Sequence, residues 1–385
     1  MRDARGGNLA RALWASGWFY GSRALVFAWA LLLAHEFGVG QYGLFAMALA
    51  FGTMLGTPID SYFMVRTPRV SDEEFEADRS TRVVLGMGLV FVGWLLWPFT
   101  FVGGFAVGKA GIDVCFQASR SSLIRAGRPE RAQRSDAIRQ IVGVVLGATY
   151  VWLYPGATME VAALVYLGGL ALPILSGIKH LVTHSPHLPQ LTTRNAAIVA
   201  ESVGGVAYAQ AGVILLGLLT STASAGYYSF GLTIVIALSS IGLSFGTTYH
   251  RSLRDAGGHP AAGPSMKWSL LLSLGCAVIV AGIALGLWLA GTDRHLWLTF
   301  AILAPVAFTR TFSTVATVVL MMQHRDFYRL AITLGCLTAV ISLMVALAAF
   351  GGPGAAAAFL VADVLMAVAY GRAAFRPPHG ERVHG

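Results

Sequence analysis

Long apolar runs recur along this chain, with cations gathered at every second junction between them, and no soluble fold accommodates that alternation. The runs read as twelve helices: 10–35, 41–65, 82–100, 103–124, 135–154, 158–180, 196–219, 225–249, 267–290, 296–321, 328–350 and 354–373. A membrane-spanning helix needs ~20 apolar residues, because ~30 Å of hydrocarbon is covered at 1.5 Å per residue. Turn signals separate the runs at Gly38–Gly40, at Pro155-Gly156 and at Gly351-Gly352-Pro353-Gly354. Pro58, Pro173 and Pro305 fall inside runs and are expected to kink their helices. Composition agrees. Of 385 residues 56% are hydrophobic and 12% charged, about half the ~25% charged share of a soluble domain. The mean hydropathy is +0.67. A cytosolic enzyme, a disulfide scaffold and a disordered chain are excluded. The expected fold is an all-α integral membrane protein. Arg23 interrupts the first run and the run continues past Ala28-Trp29-Ala30, so no cleaved signal peptide is expected.

The cations set an orientation. One set of junctions carries Arg66, Arg69, Arg79 and Arg82; Arg120, Arg125, Arg128, Arg131 and Arg134; Lys179 and Arg194; Arg251, Arg254 and Lys267; and Arg325 and Arg329. Both termini join this set through Arg2, Arg5, Arg11, Arg372, Arg376 and Arg382, whereas the opposite junctions carry Arg294 alone. The positive-inside rule then places both termini and the basic loops in the cytoplasm. The net charge of +9 belongs to these short loops, so a nucleic-acid partner is not expected.

Within the longest early loop, Thr67–Thr81, the run Ser71-Asp72-Glu73-Glu74-Phe75-Glu76 reads as a short solvated amphipathic helix, with partner docking as the alternative. Cys115, Cys276 and Cys336 lie inside apolar runs without a CxxC and read as packing residues. His180, His184 and His187 lack a carboxylate or thiol neighbour and are broken by Pro186 and Pro189, so no metal site is expected. No GxxxxGK(S/T) run occurs, and neither a nucleotide nor any other cofactor is called for.

The second and eighth runs resemble each other at an offset of 185: Tyr42 falls on Tyr227, Phe45 on Phe230 and Arg66 on Arg251. Gly127-Arg128 and His324-Arg325 follow the fourth and tenth runs in the same way. Two six-helix lobes, 1–187 and 188–385, are expected. The stretch Gly40-Gln41-Tyr42-Gly43-Leu44-Phe45-Ala46-Met47-Ala48, its echo Gly226-Tyr227-Tyr228-Ser229-Phe230, and the basic turn Arg125-Ala126-Gly127-Arg128 carry a family resemblance. They resemble the polysaccharide/oligosaccharide flippases of the multidrug/oligosaccharidyl-lipid/polysaccharide exporter superfamily. That resemblance implies a transporter, not an enzyme, that moves a lipid-linked sugar across the cytoplasmic membrane, with a bacterial inner membrane as its setting. Its implied partners are the lipid-linked glycan, membrane lipids and glycan-assembly proteins.

Ionisable groups at membrane depth cost ~2.5–3.5 kcal/mol on insertion scales and read as functional by default. Arg23, Lys109 and Arg310 lie near the middle of their runs, as do Asp113 and Asp363. Three cations against two anions suggest a wet cavity that receives an anion such as a lipid diphosphate. Lys109, Asp113 and Gln117 share one helix face. Arg23, Lys109, Asp113, Gln117 and Arg310 are therefore the candidate substrate-binding residues, and Asp113, Asp363, Asp60 and Glu201 the candidate ion-coupling groups. The plainer readings are a self-satisfied Lys109–Asp113 pair, a snorkelling Arg23 and interfacial hydrogen bonding by Asp60 and Glu201. Trp14, Trp18, Phe19 and Tyr20 read as interface anchors, with a sugar-stacking wall as the alternative.

Two other functions compete. A major-facilitator transporter of a small solute would also have twelve helices, but its G-x-x-x-D-R-x-G-R-R loop is missing at Thr67–Glu74. A glycan polymerase or ligase needs large external loops, and the richest one here is Asp293-Arg294-His295. The orientation has a direct test. Single cysteines at Thr292 or Gly352 are expected to react with an impermeant thiol reagent added to intact cells, and one at Ala261 is not; the opposite pattern would invert the topology.

Overall fold

A computed structural model describes residues 2–67, 70–126, 128–172, 174, 184–186, 193–323 and 325–375. These residues are almost wholly helical: α1 (Arg2–Phe37), α2 (Val39–Arg66), α3 (Asp72–Leu96), α4 (Phe101–Arg125), α5 (Pro129–Leu153), α6 (Met159–Ala171), α7 (Thr193–Leu219), α8 (Thr222–Thr247), the short α9 (His250–Asp255), α10 (Met266–Leu289), α11 (Arg294–Met322), α12 (Asp326–Leu347) and α13 (Gly351–Phe375). No strand occurs among them. Among the described residues nine helical stretches are long and apolar enough to cross a membrane, one of them running from Asp326 through Phe375 and so containing both α12 and α13. The chain is a multi-pass membrane protein.

Eight of the expected runs match a long helix in order, with boundaries shifted by a few residues, and the sixth matches a shorter helix, Met159–Ala171, the rest of it lying largely outside the described residues. The first, the third and the fifth start well before their expected positions. α3 starts at Asp72 instead of 82. Ser71 caps it by accepting from the Glu74 amide, and Asp72, Glu73 and Glu74 fill the first turn, where the helix dipole favours anions. The acidic stretch expected to be a separate solvated helix is therefore the first two turns of a spanning one. α5 likewise starts at Pro129, which suits the first helical position because its missing amide proton would have no partner there. Both α2 and α11 continue through Pro58 and Pro305; Pro173 lies outside the described residues. The Gly351–Gly354 turn is in fact the start of α13, with Gly351 at φ 59 making the break from α12.

Contacts divide the chain into two units, Met1–Val206 and Ala207–Gly385. In the first, α4 packs on α2 and α3, while α5 packs on α1 and α6. In the second, α11 packs on α8, α10 and α13, and α12 packs on α13. Helices attract one another in lipid through close packing, since the hydrophobic effect gives no net drive there. Small residues allow it. A Cβ at Gly111 would collide with the α3 backbone at Gly86 and Val90, and one at Gly242 would collide with the Thr311 carbonyl on α11. Cys115, Cys276 and Cys336 are buried and free. Cys115 lies against the Val83 carbonyl on α3 at 3.6 Å.

Candidate functional site: paired charges at membrane depth

In the first unit, Lys109 and Asp113 stand one helical turn apart on α4, and the Lys109 ammonium donates to Asp113 Oδ2 at 2.5 Å. The other carboxylate oxygen, Oδ1, accepts from Arg139 of α5 at 2.7 Å. Arg139 also reaches Asp136 at 3.2 Å and lies 4.3 Å from the centroid of the Phe116 ring. Two cations and two carboxylates thus form one neutral group spanning two helices. Neutrality is what makes the burial affordable, since a lone charge in a low-dielectric interior costs several kcal/mol. Beside the group, the Tyr166 hydroxyl on α6 donates to Gln140 at 3.1 Å. Its ring stacks on Trp29 of α1 at 5.7 Å and meets Phe45 of α2 edge-on. Arg23 is exposed, lies 5.3 Å from the Phe19 ring centroid, and stands within electrostatic reach of the Tyr166 hydroxyl. Gln117 faces the end of α4, where its side chain accepts from Arg120 at 3.3 Å.

A second network closes that end of the unit. Arg82, 1% exposed, meets Asp60 at 3.4 Å and stacks on Phe63. Arg66 donates to Asp78 at 3.0 Å, Arg79 to Glu76 at 2.7 Å, and Arg125 to Asp72 at 2.7 Å and to the Thr67 and Val70 carbonyls. Arg79 and Arg82 read as loop cations in the sequence; they are buried between α2, α3 and α4, because Glu76 and Asp60 lie within reach.

In the second unit, Arg310 of α11 lies against the rings of Tyr208 on α7 and Phe359 on α13, at 5.5 and 5.6 Å. Asp363, 0% exposed, accepts from the Tyr208 hydroxyl at 2.5 Å. Arg310 stands within electrostatic reach of Asp363, Tyr208 and Tyr228. Arg310 Nη1, Asp363 Oδ2 and the Tyr228 hydroxyl are all buried without a hydrogen-bond partner, a costly state for groups in an apolar interior.

The structure therefore brings Lys109 and Asp113 together, and Arg310 near Asp363. It places Gln117 and Asp60 in the closing network, and Glu201 half-buried on α7. His180 and His187 lie outside the described residues, and no group of three metal-ligating side chains occurs among those described. Sequence reasoning missed Arg139, Asp136, Tyr166 and Tyr208. Asp136, Arg139 and Gln140 already lie at i, i+3, i+4 inside the expected fifth run, 135–154, but that spacing does not point to Arg139's partner Asp113 on α4.

The Asp60–Arg82 pair separates structure from coupling. Asp60→Ala alone leaves Arg82 uncompensated and is expected to lower the melting temperature and yield of the purified protein, in keeping with ~3–5 kcal/mol for a broken buried pair. Asp60→Ala combined with Arg82→Met is expected to recover both, with transport retained. Recovered stability without transport would instead make Asp60 a coupling group.

No family model matches the chain, and no curated protein sequence does. Solved structures do. The lipid II flippase MurJ in an inward closed conformation aligns over 93% of this chain and 87% of its own, at 13% identity and a TM-score of 0.67. An inward-facing multidrug resistance transporter of the MATE family, within the MOP superfamily, aligns over 93% and 92% at 12% identity and a TM-score of 0.65. The MATE multidrug transporter DinF-BH, in complex with R6G, aligns over 94% and 93% at 14% identity and a TM-score of 0.62. With the helix order and the paired units in view, the chain has the fold shared by MurJ and these MATE transporters.

Proposed function

We propose that the chain translocates a lipid-linked oligosaccharide or polysaccharide precursor across a bacterial cytoplasmic membrane by alternating access. The observation that carries this reading is a buried arginine at membrane depth in each unit of an exporter fold, Arg139 and Arg310, each in contact with an aromatic ring, with Lys109 sharing the carboxylate of Asp113 with the first. Guanidinium groups suit phosphate, and aromatic faces suit sugar rings. The likeness to a lipid II flippase along nearly the whole chain supports it. In this proposal both termini are cytoplasmic and the lobes are 1–187 and 188–385. Arg23, Lys109, Asp113, Gln117 and Arg310 contact substrate, and Asp363 leads the ion-coupling candidates, since it is the most deeply buried carboxylate. No cofactor takes part, and glycan-assembly proteins supply the substrate. Export of an amphipathic small molecule is the second reading, favoured by a comparable likeness to multidrug transporters.

Arg310→Ala is expected to stop glycan export in cells while the protein still reaches the membrane. Arg310→Lys is expected to restore part of it, because lysine keeps the charge but loses the bidentate geometry. Full export by a protein carrying both Arg23→Ala and Arg310→Ala would contradict the proposal.

A further inference from the structure

The arrangement around Asp113 is unlike an ordinary ion pair. Two cations on different helices, Lys109 on α4 and Arg139 on α5, each take one oxygen of the same carboxylate. The group is also open on one side: the Asp113 side chain is 24% exposed and that of Lys109 13%, whereas Arg139 is 7% exposed. Arg139 is anchored from behind by the Phe116 ring and by Asp136, and its Nε is buried without a partner. An ammonium and a guanidinium that converge on two oxygens of one anion are equally spaced for two oxygens of a phosphate. A phosphate has a third acceptor oxygen, which a carboxylate lacks, and Arg139 has an unused donor.

We propose that Asp113 is a tethered placeholder: its carboxylate occupies an anion site formed by Lys109 and Arg139, and a phosphate group of the substrate binds there by displacing it. This rests on the proposed function for its substrate class, a phosphate ester or diphosphate. Asp113 keeps the site neutral when empty, and its displacement makes the cations available only to an anion that competes with it. The device weakens apparent affinity by the fraction of time the carboxylate holds the site. It also favours release, since Asp113 returns as the phosphate leaves.

The carboxylate effect is isolated by comparing Lys109→Gln with Lys109→Gln, Asp113→Asn. Both keep Arg139 and Asp136 and differ only in the anion at 113. Purified full-length protein in detergent is titrated with inorganic pyrophosphate and with farnesyl diphosphate by calorimetry. The double variant is expected to bind both probes about tenfold more tightly than the single one, as removal of a competing state held ~90% of the time requires. In the otherwise unaltered chain, Asp113→Asn is expected to show the same gain, and Arg139→Ala a loss. Tighter binding of farnesyl diphosphate than of pyrophosphate assigns the anion to a lipid headgroup, and equal binding assigns it to free phosphate; the placeholder requires the gain with both. Equal or weaker binding by the double variant, in folded protein, overturns the placeholder. That result leaves glycan export untouched as a reading, whereas phosphate binding without glycan movement in vesicles would overturn the export reading and leave the placeholder standing.

Discussion

The carboxylate of Asp113 joins α4 to α5 by taking Lys109 on one oxygen and Arg139 on the other. Much of the first unit is arranged around that contact. Without it, α4 would carry an uncompensated charge at membrane depth, and a broken buried pair costs ~3–5 kcal/mol. With it, α4 can hold a polar stripe and still pack, through glycines and alanines, against α2 and α3. Trp29, Phe45, Phe105 and Tyr166 pack on one another in the same unit, and the ring that the charges meet is Phe116, under Arg139.

The second unit meets the same constraint differently. Its counterpart of α4 is α11, which also packs on the two helices preceding it in the bundle. Here the cation is a single arginine against the rings of Tyr208 and Phe359, and the anion, Asp363, is held by a tyrosine hydroxyl. Rings from the first, second and sixth helices pack together in each unit: Trp29, Phe45 and Tyr166 in one, Tyr208, Tyr228 and Phe359 in the other. The first unit holds its charges in direct ion pairs. The second leaves Arg310 Nη1, Asp363 Oδ2 and the Tyr228 hydroxyl unpartnered. Two units with the same helix plan thus carry different charge chemistry. The ends differ as well. The first unit is fastened by the Asp60–Arg82 and Arg66–Asp78 pairs, the second by hydrogen bonds to backbone carbonyls, as from the Gly258 amide to Leu253 and from the Gln323 side chain to Gly258.

The helix plan was legible because hydrocarbon demands ~20 apolar residues per crossing and the turns carry glycine and proline. Lys109 and Asp113 were legible as a pair because helical spacing alone places them together. Arg139 was not, since its partner is on another helix and a cation near a basic loop looks solvated until packing buries it. Arg82 misled for the same reason: its neutralising carboxylate, Asp60, is 22 residues away in sequence and adjacent only after α2 meets α3. Tyr208 and Asp363 are 155 residues apart, a distance no periodicity reports. The excess of interior cations inferred from sequence came from counting Arg23, which is exposed; the remaining Lys109, Arg139 and Arg310 are matched by Asp113, Asp136 and Asp363.

The account stands or falls on what crosses the membrane. The direct measurement uses purified protein in lipid vesicles loaded with a fluorescent lipid-linked oligosaccharide and follows its exposure to an impermeant lectin outside. The account predicts exposure well above that of protein-free vesicles, inhibited by added pyrophosphate and lost in the Arg310→Ala protein. Exposure no faster than in protein-free vesicles, with an amphipathic dye still carried across, would contradict it.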